Sequence, residues 1–202
     1  DEYQVTVFGE EPLPAYDRVH LTSWFKTQSV EAINMVSDGF YPSNNFALHT
    51  GDKVTQIDRF KRVIISESGL EVSYDKIILA TGSFPFVPPV PGHNRDNIFV
   101  YRTIEDLEKI TAAAKNGKVG AVIGGGLLGL EAAKALMDLE LQTHVIEFAP
   151  RLMAVQVDDG GGNMLSKKIQ DLGVKVHTQK NTQNIGDGDT AFHKMSFADG
   201  QE

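Results

Sequence analysis

The stretch Lys118-Val119-Gly120-Ala121-Val122-Ile123-Gly124-Gly125-Gly126-Leu127-Leu128-Gly129-Leu130-Glu131 decides the fold. An apolar run turns at glycines spaced G-x-G-x-x-G, and a helical pattern starts at once. Gly124 permits a tight strand-to-helix turn, Gly126 lets backbone approach a pyrophosphate, and Gly129 lets the helix press against the sheet. Leu127 and Leu128 open the helix, whose free N–H groups and dipole attract phosphate without any lysine or arginine. Ala132, Ala133, Ala135, Leu136 and Leu139 continue one helical face, and Thr143-His144-Val145-Ile146 then reads as a second strand ending in Glu147. A carboxylate there fits the ribose hydroxyls of a dinucleotide and repels a 2′-phosphate, so NADH is expected over NADPH. Arg151, four residues on, is the counter-signal, because it can swing toward a phosphate.

Outward from this unit the pattern continues. Asn163 to Leu172 is amphipathic and stops at Gly173, and Val174 to His177 is a third strand, which completes β-α-β-α-β and predicts a parallel, doubly wound sheet. Thr103 with Glu105 and Asp106 behind it caps a helix through Ala114. Pro85, Pro88, Pro89 and Pro91, four of the eight prolines, make residues 83–92 a rigid linker. Before it, Gln4 to Phe8 reads as a strand, Val30 to Met35 as a helix, and a β-meander follows. Its strands are Ala47 to His49, Lys53 to Asp58, Arg62 to Ser66, Glu71 to Ser73 and Lys76 to Leu79, with turns at Gly51, Phe60 and Gly69. Asn184 to Phe197 reads as turns and a hairpin.

Composition narrows the function. With 202 residues, 41% hydrophobic and 23% charged, the chain has the make-up of an ordinary globular protein. No apolar run is long enough for a membrane helix, and Asp1-Glu2-Tyr3-Gln4 lacks the features of a signal peptide, so a cytoplasmic protein without membrane contact is expected. A net charge of −8 with no basic stripe argues against nucleic acid as a partner. The absence of cysteine removes thiolate, dithiol and iron–sulfur chemistry from this stretch, leaving redox work to a bound organic cofactor. Histidines at positions 20, 49, 93, 144, 177 and 193 show no paired ligand spacing, so no metal site is expected.

Ile77-Ile78-Leu79-Ala80-Thr81-Gly82 is the second informative stretch: a buried apolar strand ending in a hydroxyl and a glycine that lets backbone pass beneath a ligand. On its own it is equally the start of a loop. Placed ahead of the glycine fingerprint, it resembles the FAD- and NAD-dependent pyridine nucleotide–disulfide oxidoreductases, in which an Ala-Thr-Gly strand end near FAD precedes the NAD domain. Within them, the chain is most similar to the large subunits of NAD(P)H nitrite reductases, over Val7 to Pro12, Ala15 to Leu21, Leu79 to Pro91, Tyr101 to Leu107 and Phe148 to Gln156. Ferredoxin and rubredoxin reductases resemble it less at Val19-His20 and Thr22-Ser23, where they tend to carry two prolines, then serine and lysine.

That resemblance implies an α/β fold: a partial FAD-binding domain over 1–102, including the meander, and a Rossmann-type NAD-binding domain over 103–202. It implies that Glu10 binds the FAD ribose, that Arg18 lies along the FAD, and that Val54, Thr81 and Gly82 line it. It makes Glu131 the candidate catalytic residue, hydrogen-bonding the nicotinamide carboxamide in a positioning role rather than in acid–base chemistry. On their own residues, Glu10 and Glu131 also suit a solvated turn and an exposed helix end, and Arg18 also suits a pair with Asp17 or Glu10. The family places its first FAD glycine turn upstream and its FAD aspartate downstream, so a fragment with poor FAD affinity and a tendency to self-associate is expected. Siroheme and iron–sulfur domains, further along the same polypeptide, and a small subunit are implied partners outside this stretch. The expected activity is hydride transfer from NADH to FAD as the electron-input module of a nitrite reductase. The alternatives are a ferredoxin- or rubredoxin-type reductase and a non-catalytic dinucleotide-binding module.

Overall fold

The structure, a computed structural model, describes residues 3–188 and 193–202. Its elements begin with β1 (Val5–Phe8), α1 (Leu21–Thr27), α2 (Phe40–Ser43), β2 (Phe46–His49), β3 (Val54–Asp58), β4 (Val63–Ser66) and β5 (Glu71–Ser73). They continue with α3 (Ile104–Ala114), β6 (Val119–Ile123), α4 (Leu127–Asp138), β7 (Gln142–Ile146), α5 (Asp159–Asp171), β8 (Lys175–His177), β9 (Thr182–Gly186) and β10 (Lys194–Phe197). Contacts divide the chain into two compact units, Asp1–His20 with Ser29–Ser83, and Leu21–Gln28 with Phe84–Glu202. This division follows contacts, whereas the partition expected at 102/103 follows the cofactors that the resemblance implies, so the two boundaries differ.

In the first unit β1 pairs in parallel with β2, from Val5↔Phe46 to Phe8↔His49. Residues 47–49 therefore leave the expected meander: the long connection from residue 9 to residue 45 is the crossover a parallel pair needs. The meander itself is antiparallel, β3-β4-β5. Asp58 shapes its first turn by accepting from the Phe60 and Lys61 N–H groups, both at 2.9 Å. The helix expected over Val30 to Met35 shrinks to a 3-10 turn at Glu31–Ile33. Asn34 is already extended, and the Met35 N–H turns to the Ala15 carbonyl at 3.3 Å instead of continuing a helix.

The strand expected over Lys76 to Leu79 is absent. Its apolar residues are not buried: Ile78 is 90% and Leu79 66% exposed. Among the described residues no strand pairs with this run, and a β-prone sequence without a ladder partner gains neither hydrogen bonds nor burial.

The second unit contains the predicted parallel sheet, its three strands lying in the order β6-β7-β8. Val145 and Leu152 are fully buried with Ala133 and Val174, and Val122, Leu130, Met137, Leu165, Ile169 and Val176 close around them, so α4 and α5 seal one face. The α3 cap is a reciprocal box: Asp106 N–H donates to Thr103 Oγ1 at 3.3 Å and Thr103 N–H to Asp106 Oδ2 at 3.0 Å. Helix α1, not foreseen, buries Leu21, Trp24 and Phe25, an i, i+3, i+4 stripe that is its sequence signature. β9 and β10 form the expected antiparallel pair, though residues 189–192 of that stretch lie outside the described ones. The Ile185 N–H donates to the Pro91 carbonyl at 2.9 Å, which fastens the end of the proline segment to β9.

Candidate functional site

The turn between β6 and α4 is built from the backbone outward. Gly124 has φ +116°, a conformation open to glycine, and its N–H donates to the Ile146 carbonyl at 2.8 Å, carrying the β6–β7 ladder into the turn. A Cβ at Gly129 would collide with the Gly124 carbonyl, so the helix can start this close to the strand only without a side chain there. Gly126 is the contrast: it is extended, and a Cβ there would meet nothing within 4 Å. The space above Gly126 is thus clear, and no side chain caps α4. Leu127 and Leu128 are 59% and 62% exposed at this end. Uncapped first-turn N–H groups beside open space can receive an anion, which is the fit a pyrophosphate requires.

Glu147 is locked beside that turn. Its Oε2 accepts from the Gly125 N–H at 2.5 Å and its Oε1 from the Ala149 N–H at 2.6 Å. Its own N–H donates to the His177 carbonyl at 2.8 Å and its carbonyl accepts from Lys180 N–H at 2.9 Å. A carboxylate has about four acceptor positions, so lone pairs remain for a pair of ribose hydroxyls. Arg151 is committed elsewhere: its guanidinium bonds the Val157 carbonyl at 3.0 Å, Asp159 Oδ1 at 2.7 Å and the Ala154 carbonyl at 3.2 Å. Its aliphatic stem occupies the space a side chain at Gly162 would need.

Glu131 lies on α4, partly exposed, two residues past Gly129. Burial first, then Glu131, raise the Tyr101 pKa above the usual tyrosine value, against the opposing hydrogen bond to Thr22.

Of the residues assigned to FAD by resemblance, Glu10, Arg18 and Val54 are drawn toward the chain around Gly9–Glu11. Glu10 pairs with Lys53 at 2.8 Å, next to Val54. Arg18 pairs with Glu11 rather than with Asp17 or Glu10, donates to Tyr16 Oη at 2.9 Å and lies 4.7 Å from the Tyr16 ring centre. Burial works against the Arg18 charge, but the hydrogen bond to Glu11 and the charges of Tyr16 and Glu11 outweigh it and raise its pKa. Thr81 and Gly82 lie in the exposed irregular segment after Leu79.

Sequence reasoning missed two side-chain meetings. His144 and His177, 33 positions apart, approach to 3.1 Å between Nδ1 and Nε2, because β7 and β8 set them on one face of the sheet. The signal existed only in the register. Thr22 and Tyr101, 79 positions apart, approach to 2.9 Å. Among the described residues no three or more His, Cys, Asp or Glu side chains gather as a metal site, and no helix is long and apolar enough to cross a membrane.

A parallel β-α-β-α-β unit with an open, uncapped helix start at a G-x-G-x-x-G turn defines a dinucleotide-binding fold. The chain matches the family model described as pyridine nucleotide-disulphide oxidoreductase over residues 1–202, and it belongs to that family. It is 51% identical over 201 residues to the nitrite reductase (NADH) large subunit of Escherichia coli (strain K12), covering 99% of this chain and 24% of that protein. The chain thus spans about a quarter of that relative's length. The crystal structure of NADH:rubredoxin oxidoreductase from Clostridium acetobutylicum superposes with a TM-score of 0.81 at 30% identity, covering 88% of this chain and 47% of that one. A ferredoxin reductase from Rhodopseudomonas palustris shares the fold, with a TM-score of 0.90 at 23% identity over 99% of this chain and 50% of that one. The family implies FAD and NAD(P)H as cofactors.

Proposed function

We propose that this chain is the electron-input module of an NADH-dependent nitrite reductase. The observation that carries the reading is the 51% identity over 99% of the chain to a nitrite reductase (NADH) large subunit. In this reading residues 1–102 contribute to FAD binding, through Glu10, Arg18, Val54, Thr81 and Gly82, and residues 103–202 bind NADH. When bound, the flavin accepts hydride from NADH and passes the electrons onward singly. The chain's own residues bind and orient. The backbone at Gly124, Gly126 and Gly129, with the N–H groups of Leu127 and Leu128, receives the pyrophosphate. Glu147 accepts from ribose hydroxyls, and its charge together with the engagement of Arg151 supports NADH over NADPH. Glu131 orients the nicotinamide carboxamide.

The partners of this reading are iron–sulfur and siroheme domains of a longer cytoplasmic polypeptide and a small subunit, and the exposed apolar run at 77–87 supports self-association of the isolated stretch. A second reading, an NADH:rubredoxin-type reductase, is favoured by the 30% identity to the C. acetobutylicum enzyme. The visible spectrum of the full-length polypeptide separates them. Flavin and siroheme bands that bleach with NADH and return with nitrite are expected. A flavin spectrum alone, reduced by NADH and indifferent to nitrite, would replace the first reading with the second.

A further inference from the structure

We propose that Arg151 is a positioning residue for the nucleotide site: it locks residues 153–157 against the glycine turn, so that the Glu147 carboxylate meets the ribose hydroxyls from one fixed place. The proposal rests on the reading above, in which the glycine turn and Glu147 receive the dinucleotide.

Every link in the lock is a hydrogen bond. The Arg151 guanidinium donates from three nitrogens, Nε to the Val157 carbonyl at 3.0 Å, Nη1 to Asp159 Oδ1 at 2.7 Å and Nη2 to the Ala154 carbonyl at 3.2 Å. The turn held by these bonds is closed by the Gln156 and Val157 N–H groups, which donate to the Met153 carbonyl at 2.8 and 3.0 Å. The Met153 N–H in turn donates to the Gly125 carbonyl at 2.9 Å, and the Gly125 N–H donates to Glu147 Oε2 at 2.5 Å. Arg151 is thus joined to Glu147 by one continuous run of bonds.

Packing tightens the same run. Leu152 is fully buried, and a Cβ at Gly125 would stand 2.6 Å from Leu152 Cδ2 and 3.0 Å from Glu147 Oε2, so the segment closes on the turn only because residue 125 is glycine. Gly162 makes the matching room for Arg151, since a Cβ there would fall 2.7 to 3.1 Å from the arginine stem. Met153 has φ +50°, a left-handed conformation that residues with a Cβ rarely adopt, and both its N–H and its carbonyl are bonded in it. Strain of this kind persists where the surroundings fix it, and Arg151 holds the outer side of that turn. A lysine would carry the charge but donate from a single nitrogen, whereas the lock uses three nitrogens spread over a planar fork. The lock therefore asks for arginine's shape, while a swing toward a 2′-phosphate asks chiefly for its charge.

The test titrates the oxidised, full-length polypeptide by calorimetry with ADP-ribose and with its 2′-phosphate, which carry the pyrophosphate and both riboses but no nicotinamide to reduce the flavin. Arg151→Lys should weaken ADP-ribose binding about ten-fold and binding of the 2′-phosphate by less than about three-fold, which narrows the preference between them. Asp159→Asn, at a side chain 86% exposed, should change either affinity by less than about two-fold. Gly162→Ala keeps Arg151 but displaces its stem with a methyl group, and should reproduce the Arg151→Lys pattern while alanine's helix propensity supports α5. Circular dichroism verifies that the variants fold, and if Arg151→Lys does not, Gly162→Ala carries the same test. If wild type binds ADP-ribose and the variants bind it as tightly, the lock is overturned while the reading of the site stands. Equal losses for the two ligands would make Arg151 a prop of the fold alone and overturn the positioning role as well. If wild type binds neither ligand, the reading of the site fails and the lock fails with it.

Discussion

Val119 to Ile123 and Ile77 to Ala80 are both short apolar runs that end at a glycine-containing turn, yet they meet different fates. The first becomes β6, bonded along its length to β7, above a core in which Val145 and Leu152 have no exposed surface. The second pairs with nothing among the described residues, and beyond Gly82 the apolar side chains stay in solvent, Phe84 78% and Phe86 85% exposed. A strand is a property of a pair of segments, so local hydrophobicity nominates it and a neighbour decides it.

Substitutions at the two regions should differ most where packing differs most. Leu152→Ala empties a fully buried position and should lower the unfolding free energy by about 2–5 kcal/mol, whereas Ile78→Ala, at a 90% exposed position, should change it by less than about 0.5 kcal/mol. Urea unfolding followed by circular dichroism measures both, and equal losses would break the comparison.

Within the glycine turn the same logic separates fold from binding. Gly129→Ala drives a methyl into the Gly124 carbonyl and should cost about 1–3 kcal/mol of stability. Gly126→Ala has room, so its stability should hold within about 1 kcal/mol while NADH affinity, read by calorimetric titration, falls. An NADH affinity untouched by Gly126→Ala would remove the pyrophosphate from this turn.

Glu147→Ala leaves the Gly125 and Ala149 N–H groups without their carboxylate acceptor and should cost about 1–3 kcal/mol for each N–H that water cannot reach. It should also weaken NADH binding more than NADPH binding. Parallel titrations with the two nucleotides decide this, and an unchanged NADH-to-NADPH ratio would clear Glu147 of any role in selection.

The smallest expected effect comes from the histidine pair. Burial lowers the pKa of both His144 and His177; the partner histidine and Lys175 add to the shift at His144, and Lys180 and Lys175 at His177. Because the folded-state values lie below the unfolded ones, the unfolded chain takes up protons first as pH falls. Stability should therefore be complete above the ordinary histidine pKa of about 6.5 and decline as pH falls through the folded-state values. His177→Asn should flatten that slope in thermal melts between about pH 7 and 5, and an unaltered slope would assign it to other groups.

The candidate site was legible in the sequence where it depends on spacing along the chain. Gly124 and Gly129 stand where the turn needs a glycine, Gly126 stands where the space beside the helix start is open, the Thr103 and Asp106 cap forms as read, and Glu147 follows β7 directly. These features are local, set by backbone sterics and by hydrogen bonds a few residues apart, so the order of residues alone determines them. The meeting of Thr22 with Tyr101, the approach of His144 to His177, the commitment of Arg151 to Val157 and Asp159, and the departure of residues 47–49 from the meander to pair with β1 depend on which segments become neighbours. Tertiary structure decided these, because long-range pairing is selected by the burial available across the whole chain and not by the preferences of any one stretch.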